Sequence, residues 1–228
     1  GLTPEKKILL LNPDDAELDK SLIQMKLLVN SAQKRSAKTE LLMYYSGHSD
    51  EEGFLLKSKK YLYKTVRSKL NEIGADVLIA ILDSCSSGAF TRIKGGTRAS
   101  PFLLEPEGEK IKGHAILTSS SANEAAQESD TIKGSFFTHF LITGLRGGAD
   151  LRNDGFVSLN EVYQFAYQET LARTESTQVG SQHPAYDIQM TGSGDIILTD
   201  IRLTKSELVF SDAIAGRIYI RDERNNLI

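Results

Sequence analysis

The sequence predicts an α/β protein with a largely parallel sheet that helices cover on both faces. Short apolar runs with the length of buried strands recur along the chain. Amphipathic segments with the spacing of helices separate these runs, and turn-forming residues bound most of them. Strands that alternate with helices are typical of parallel sheets, so the pattern favours this fold class.

The elements follow one another in a regular order. The predicted strands lie at 7–12, 40–45, 77–82, 114–118 and 195–198, with a hairpin at 54–63. The predicted helices begin at Asp14 or Asp15 and run to about 35, end at 73 before Gly74, and cover 136–145 and 159–173. Residues 91–113 are rich in Gly, Pro and basic side chains, which indicates an exposed loop.

Residues 1–200 are interpreted as one domain. From 201 to 228 the pattern changes to short alternating apolar runs that stop without an obvious close, which indicates a short and truncated β extension.

The composition excludes several classes of protein. A net charge of −3 gives no reason to expect nucleic-acid or membrane binding, and no apolar stretch approaches the length of a membrane span. One cysteine excludes an internal disulfide and a multi-cysteine zinc site. The cysteine count and the lack of a signal peptide favour the cytoplasm over export.

Two polar segments follow neighbouring predicted strands. "YYSGHS" places His48 after one strand, and "DSCSSG" places Cys85 after another. Parallel strands present their carboxyl ends at one edge of a sheet, where ligands bind. A thiolate with an adjacent imidazole can act as a nucleophile with its acid/base, and nearby backbone N–H groups can stabilise an oxyanion. A small buried cysteine and an unrelated surface histidine are the alternative that spacing alone leaves open.

The two segments resemble the paired signatures of the caspase and metacaspase superfamily of cysteine peptidases. Their separation of 37 positions, from His48 to Cys85, suits the hairpin and helix that the family places between them. Further stretches are similar to bacterial members, namely "AILTSSSANEAAQES", "GSFFTHFLITGLRGGAD", "DGFVSLNEVYQFAY" and "SQHPAYD". The resemblance covers about 7–199 and implies the caspase-like fold.

The resemblance also implies residue roles. Cys85 would be the nucleophile, His48 the acid/base, and the backbone N–H groups of Ser49 and Cys85 the oxyanion hole. Ser49 stands where the family usually has glycine. The family's first strand normally precedes the run at 7–12 and no residues here supply it, so the chain is expected to be a fragment or a processed product.

Substrate preference is inferred from the same resemblance. Asp83 matches the acidic pocket residue of metacaspases, which cleave after Arg or Lys, and Ser46 matches a second pocket position. A role for Asp83 as a turn cap beside Cys85 is the alternative. Family members are often cut after the catalytic strand, so self-cleavage is expected in the loop at 91–113. The candidate sites are Arg92, Lys94 and Arg98.

Two other functions stay open, an Asp-specific peptidase and a non-catalytic interaction module with the same fold. We expect a protein or peptide as substrate, a monomer, and no required cofactor. Some metacaspases respond to calcium, so calcium activation stays open without an identified site. The segment from Asp150 to Glu161 has calcium-loop spacing, but Arg152 occupies a ligand position, which favours a turn. His139 and His114 are expected to be structural, and His183 to lie in a polar loop that could border the substrate groove.

Overall fold

The computed structural model describes residues 3–57, 59–92 and 111–202, together with 218 and 220. These residues belong to two compact units. The first comprises 1–126 and 182–194, and the second comprises 127–181 and 195–228. The strands are β1 Glu40–Ser46, β2 Gly53–Leu56, β3 Lys59–Leu62, β4 Val77–Asp83, β5 Lys112–Thr118, β6 Glu128–Ser129, β7 Gly134–Ser135, β8 Phe156–Ser158, β9 Ala185–Thr191 and β10 Ile197–Asp200. The α-helices are α1 Asp15–Gln33, α2 Tyr63–Ile73, α3 Phe136–Thr143 and α4 Leu159–Thr174.

The first unit is built on a mostly parallel four-stranded sheet. The strand order is β1-β4-β5-β9, in which β1, β4 and β5 are parallel and β9 pairs antiparallel with β5. All seven residues of β4 are buried, as expected for a central strand of a covered sheet. One face, which includes Leu41, Leu78 and Ile116, packs in a core with α1, α2 and the β2–β3 hairpin.

The helices of this unit begin and end where their terminal residues predict. Asp14 caps α1, and its carboxylate accepts a hydrogen bond from the Glu17 N–H while Glu17 accepts from the Asp14 N–H. Gly74 ends α2 in the left-handed conformation with a φ of 70°. These boundaries agree with the predicted helices.

Two features of the first unit differ from the prediction. The segment at 7–12 is not a strand, and Leu9 and Leu11 are 68% and 81% exposed. An apolar run forms a strand only when a neighbouring strand satisfies its backbone, and no described strand pairs with this one. The prediction also missed β9, whose residues are mostly half-buried.

The described part of the second unit contains the helices α3 and α4, a helical turn after α3, and two small sheets. In this unit α3 continues into a π-helical turn at Gly144–Gly148, and α4 packs against both. Ser158 caps α4, and β8 pairs with β10. None of the helices in the described part of the chain has the length and apolar character needed to cross a membrane.

Several predictions lie outside the described residues. These are most of the loop at 91–113, with Lys94 and Arg98, and all but a few residues of the extension at 201–228. Arg92 ends a 3₁₀ helix, Ser87–Arg92. Self-cleavage in this loop and a single domain at 1–200 stay predictions.

Candidate functional site

The segments that carry His48 and Cys85 extend from neighbouring parallel strands. Strands β1 and β4 pair in register, with Ser46 opposite Asp83. The Gly47 N–H donates to the Asp83 carbonyl at 3.3 Å and continues the ladder by one bond. Because His48 and Cys85 each lie two residues beyond this last pair, both leave the sheet at the same edge.

The backbone of His48 is fixed while its side chain is exposed. Its carbonyl accepts hydrogen bonds from the Tyr45 hydroxyl at 2.7 Å and from the Leu55 N–H at 2.9 Å. Burial, with a smaller contribution from Tyr63, raises the pKa of Tyr45 to about 12, so this phenol stays protonated and donates. The β2–β3 hairpin therefore holds the main chain at the position from which the imidazole extends.

The segment around Cys85 is a tight turn held by hydroxyl groups. Cys85 is a half-buried free thiol, and Ser86 after it has a φ of 53°. The Ser84 N–H donates to the Ser119 hydroxyl at 3.1 Å, and the Ser84 carbonyl accepts from the hydroxyls of Ser119 and Ser120 at 3.3 and 3.2 Å. The two serines that follow β5 therefore anchor the residue that precedes the thiol.

Gly88 in the same turn lies against the backbone of the segment that follows β5. A Cβ atom at this position would lie 2.5 Å from the Ala122 nitrogen and 2.6 Å from the Ser121 carbonyl carbon. Any other residue would displace backbone, which explains the glycine of "DSCSSG" in steric terms.

Two backbone donors at the site have no hydrogen-bond partner in the described part of the chain. The N–H groups of Ser49 and Cys85 form no hydrogen bond with the residues that the structure describes. Ser49 forms an isolated bridge with Phe54, in which the flanking residues Asp50 and Leu55 supply the N–H groups that donate. Free N–H groups beside a nucleophile are the donors that an oxyanion requires.

The expected pocket residues share one face of the sheet. Residues opposite each other in a parallel pair project to the same side, so Ser46 and Asp83 lie next to each other. Asp83 is 5% exposed, whereas Ser46 is exposed. The carboxylate therefore lies deep and the hydroxyl at the surface.

Glu124 and His183, which sequence reasoning did not connect, fix the turn after Cys85. The Ser86 N–H donates to the Glu124 carbonyl at 2.9 Å. The Glu124 carboxylate accepts from the His183 N–H at 2.8 Å, contacts the His183 Nδ1 at 2.9 Å, and accepts from the Ser121 N–H at 3.4 Å. Burial alone would raise the pKa of Glu124, but the hydrogen bonds from His183 outweigh this and lower it.

We expect Glu124→Gln to lower stability in a pH-dependent way. Because the folded pKa is depressed, the stabilisation is present above the ordinary value of 4.5 and is lost as the pH falls through the folded value. At pH 7 the loss should be about 1–2 kcal/mol, because partial exposure of both side chains reduces the range of about 1.5–3 kcal/mol for hydrogen bonds to a charged group. Urea unfolding between pH 3 and 7 measures it, with exposed Glu175→Gln as the control. An equal loss at all pH values would contradict this assignment.

The other histidines and the calcium-like segment have structural partners. The ring of His114 lies 3.8 Å from the Asp187 carboxylate, and burial lowers its pKa. His139 packs edge-on against Phe140. In the second unit the Arg152 guanidinium binds the Glu161 carboxylate at 3.0 Å. Across the described ranges no group of three or more His, Cys, Asp or Glu residues is arranged to hold a metal ion.

Sequence reasoning located the segments of the site but not the contacts between them. The serines after β5, Glu124 and His183 all lie in the stretches "AILTSSSANEAAQES" and "SQHPAYD", which carried the resemblance. That likeness was the available signal, although it assigned these residues no role.

Known proteins resemble the chain in fold and in family pattern. No curated protein sequence matches it significantly. Among solved structures, its fold is similar to that of caspase-1 from Spodoptera frugiperda, with 18% identity and a TM-score of 0.53 over 77% of this chain and 68% of that one. The family model described as Caspase domain matches residues 10–193. Since this match spans most of the 228 residues, the chain belongs to the caspase domain family of cysteine peptidases.

Proposed function

We propose that this chain is a cysteine endopeptidase that uses Cys85 and His48 and cleaves after Arg or Lys. The observation that supports this most strongly is the in-register pairing of β1 with β4, which brings both segments to one sheet edge. The exposed imidazole and the half-buried thiol are accessible to a peptide that lies across that edge.

The proposed reaction has two halves. The Cys85 thiolate attacks the carbonyl carbon of the scissile bond, and the carbonyl oxygen gains a negative charge that the N–H groups of Ser49 and Cys85 receive. His48 gives a proton to the leaving amine as the C–N bond breaks and a thioester forms. Water then attacks the thioester, His48 accepts its proton, and the C–S bond breaks to release a carboxylic acid.

The preference for a basic residue rests on Asp83. A carboxylate that is 5% exposed can pair with a guanidinium or an ammonium group that is itself removed from water. Its ladder neighbour Ser46 offers a hydroxyl on the same face. An aspartate side chain in this position would face a like charge, which disfavours cleavage after Asp.

A panel of fluorogenic peptides ending in Arg, Lys or Asp tests the proposal. We expect hydrolysis of the Arg and Lys peptides by the wild-type chain and none by Cys85→Ala. Asp83→Asn should lower kcat/KM for the Arg peptide about 100-fold, the size expected when one partner of a buried charge pair is removed. Asp15→Asn, which removes a carboxylate from the first turn of α1, is the matched control and should leave kcat/KM within twofold.

Each alternative has its own outcome in this panel. Preferential cleavage after Asp would identify an Asp-specific peptidase. Absence of any Cys85-dependent hydrolysis would favour an interaction module. The intact masses of the wild-type and Cys85→Ala chains after the same incubation test self-cleavage at Arg92, Lys94 or Arg98, and a wild-type chain that stays whole would reject it.

A further inference from the structure

The side chain of Ser49 connects the segment of His48 with the segment of Cys85. Ser49 is 8% exposed, and its hydroxyl lies 2.8 Å from the Ser84 hydroxyl. It also forms a short hydrogen bond with the Cys85 carbonyl oxygen. The family that the sequence resembles usually has glycine at this position, and glycine would provide neither contact.

Hydrogen-bonding capacity fixes the direction of these contacts. A carbonyl oxygen can only accept, so the single proton of the Ser49 hydroxyl goes to the Cys85 carbonyl. The Ser49 oxygen then accepts from the Ser84 hydroxyl. The result is a two-bond chain from Ser84 through Ser49 to the carbonyl of the nucleophile.

These hydrogen-bonded serines lie in a buried part of the first unit, with Ser49 8% and Ser84 2% exposed. The ring of Tyr63 is 1% exposed and packs edge-on against Phe54 and Phe90. Burial raises the pKa of Tyr63, and its phenol oxygen is buried with no hydrogen-bond partner among the described residues. Water cannot readily replace the Ser49 hydroxyl in such a place, so its loss would leave the Cys85 carbonyl without this donor.

We propose that Ser49 is a positioning residue, whose hydroxyl holds the backbone of Cys85 against the segment of His48 and so sets the thiol–imidazole geometry. Ser49 follows His48 directly in the chain, and the carbonyl that it binds belongs to the nucleophile itself. One side chain therefore joins the acid/base segment to the nucleophile segment beyond the last ladder bond between β1 and β4. The inference rests on the proposed function.

Kinetics of Ser49→Ala and Ser84→Ala test this role. We expect Ser49→Ala to lower kcat on the Arg peptide by about 10- to 100-fold with KM within about twofold, since small displacements of reacting groups cost this much. Ser84→Ala should have a smaller effect, and the double variant should be no slower than Ser49→Ala because both belong to one chain of hydrogen bonds. Ser49→Thr, which keeps the hydroxyl, should restore part of the rate.

Ser21→Ala is the matched control. It also removes a buried serine hydroxyl, one that donates to the Leu18 carbonyl at 2.7 Å within α1. Ser21→Ala should leave kcat unchanged, and its melting temperature shows what the loss of a buried hydroxyl away from the site does to stability. A Ser49→Ala variant with kcat within twofold of wild type, or one whose loss merely follows the unfolded fraction, would overturn the proposal.

The rate of Cys85 alkylation by iodoacetamide as a function of pH separates this inference from the proposed function. The rate reports on the thiol and its neighbouring imidazole without any turnover. We expect the alkylation rate at a given pH to fall in Ser49→Ala and to stay unchanged in Ser21→Ala. If the wild-type chain hydrolyses no peptide, the proposed function fails, and the alkylation profile alone decides whether Ser49 positions the thiol. An unchanged profile rejects that role.

Discussion

Replacing His48 by alanine is expected to lower kcat on the Arg peptide about 10³-fold, within the range for loss of a general acid/base. In the proposed reaction this imidazole gives a proton to the leaving amine and later takes one from water, so both halves should slow. Stopped-flow and steady-state hydrolysis by the purified variant measure the effect. Because the side chain of His48 is exposed and is not part of the core, its removal should leave the fold intact.

His139→Gln is the control for this substitution. His139 is a half-buried histidine of α3 and has no role in the proposed reaction. The His139→Gln variant should keep kcat within twofold of the wild-type value. If His48→Ala kept more than a tenth of the wild-type rate, proton transfer would have to be assigned to another group.

Replacing Gly88 by alanine is expected to destabilise the protein by about 3 kcal/mol, the upper range for overpacking. The added Cβ would meet the Ala122 nitrogen at 2.5 Å, and this neighbour is backbone that cannot turn away. The displaced segment also carries the Glu124 carbonyl that accepts from Ser86, so kcat should fall as well. Urea unfolding monitored by circular dichroism and peptide hydrolysis on the same sample measure both effects.

Gly134→Ala is the control for Gly88→Ala. A Cβ atom at Gly134 would meet nothing within 4 Å, and its φ is not positive. Its substitution should change stability by less than about 1 kcal/mol. Equal free energies of unfolding for the two variants would contradict the prediction, because the turn after Cys85 would then accept the extra Cβ atom without a loss of stability.

The sequence alone predicted those elements whose structure is determined by a local pattern. Strand β4 is a continuous apolar run and α2 ends at a glycine, so both were predicted closely. The segment at 7–12 has an equally strong apolar pattern, but its state depends on a pairing partner that the pattern does not encode. Strand β9 was missed because its residues are only partly apolar and its pairing with β5 is remote in sequence.

In the candidate site, too, some features could be predicted from the sequence and others could not. His48, Cys85 and Asp83 follow recognisable runs, so their positions at the sheet edge could be predicted from the chain. The contacts of Ser49 with Cys85 and of Glu124 with His183 join residues 36 and 59 positions apart. Such side-chain contacts leave no periodic signal, and only the folded arrangement reveals them.

The pairing of β1 with β4 has a consequence for how activity would arise during refolding. A slip of one residue between these strands would move His48 by about 3.3 Å and reverse the faces of the side chains. Parallel neighbours need a long crossover, and contacts between distant parts of a chain form slowly. Molecules that have formed their helices and hairpin but not this register would therefore be inactive. Peptide hydrolysis should begin only when β1 and β4 have paired correctly.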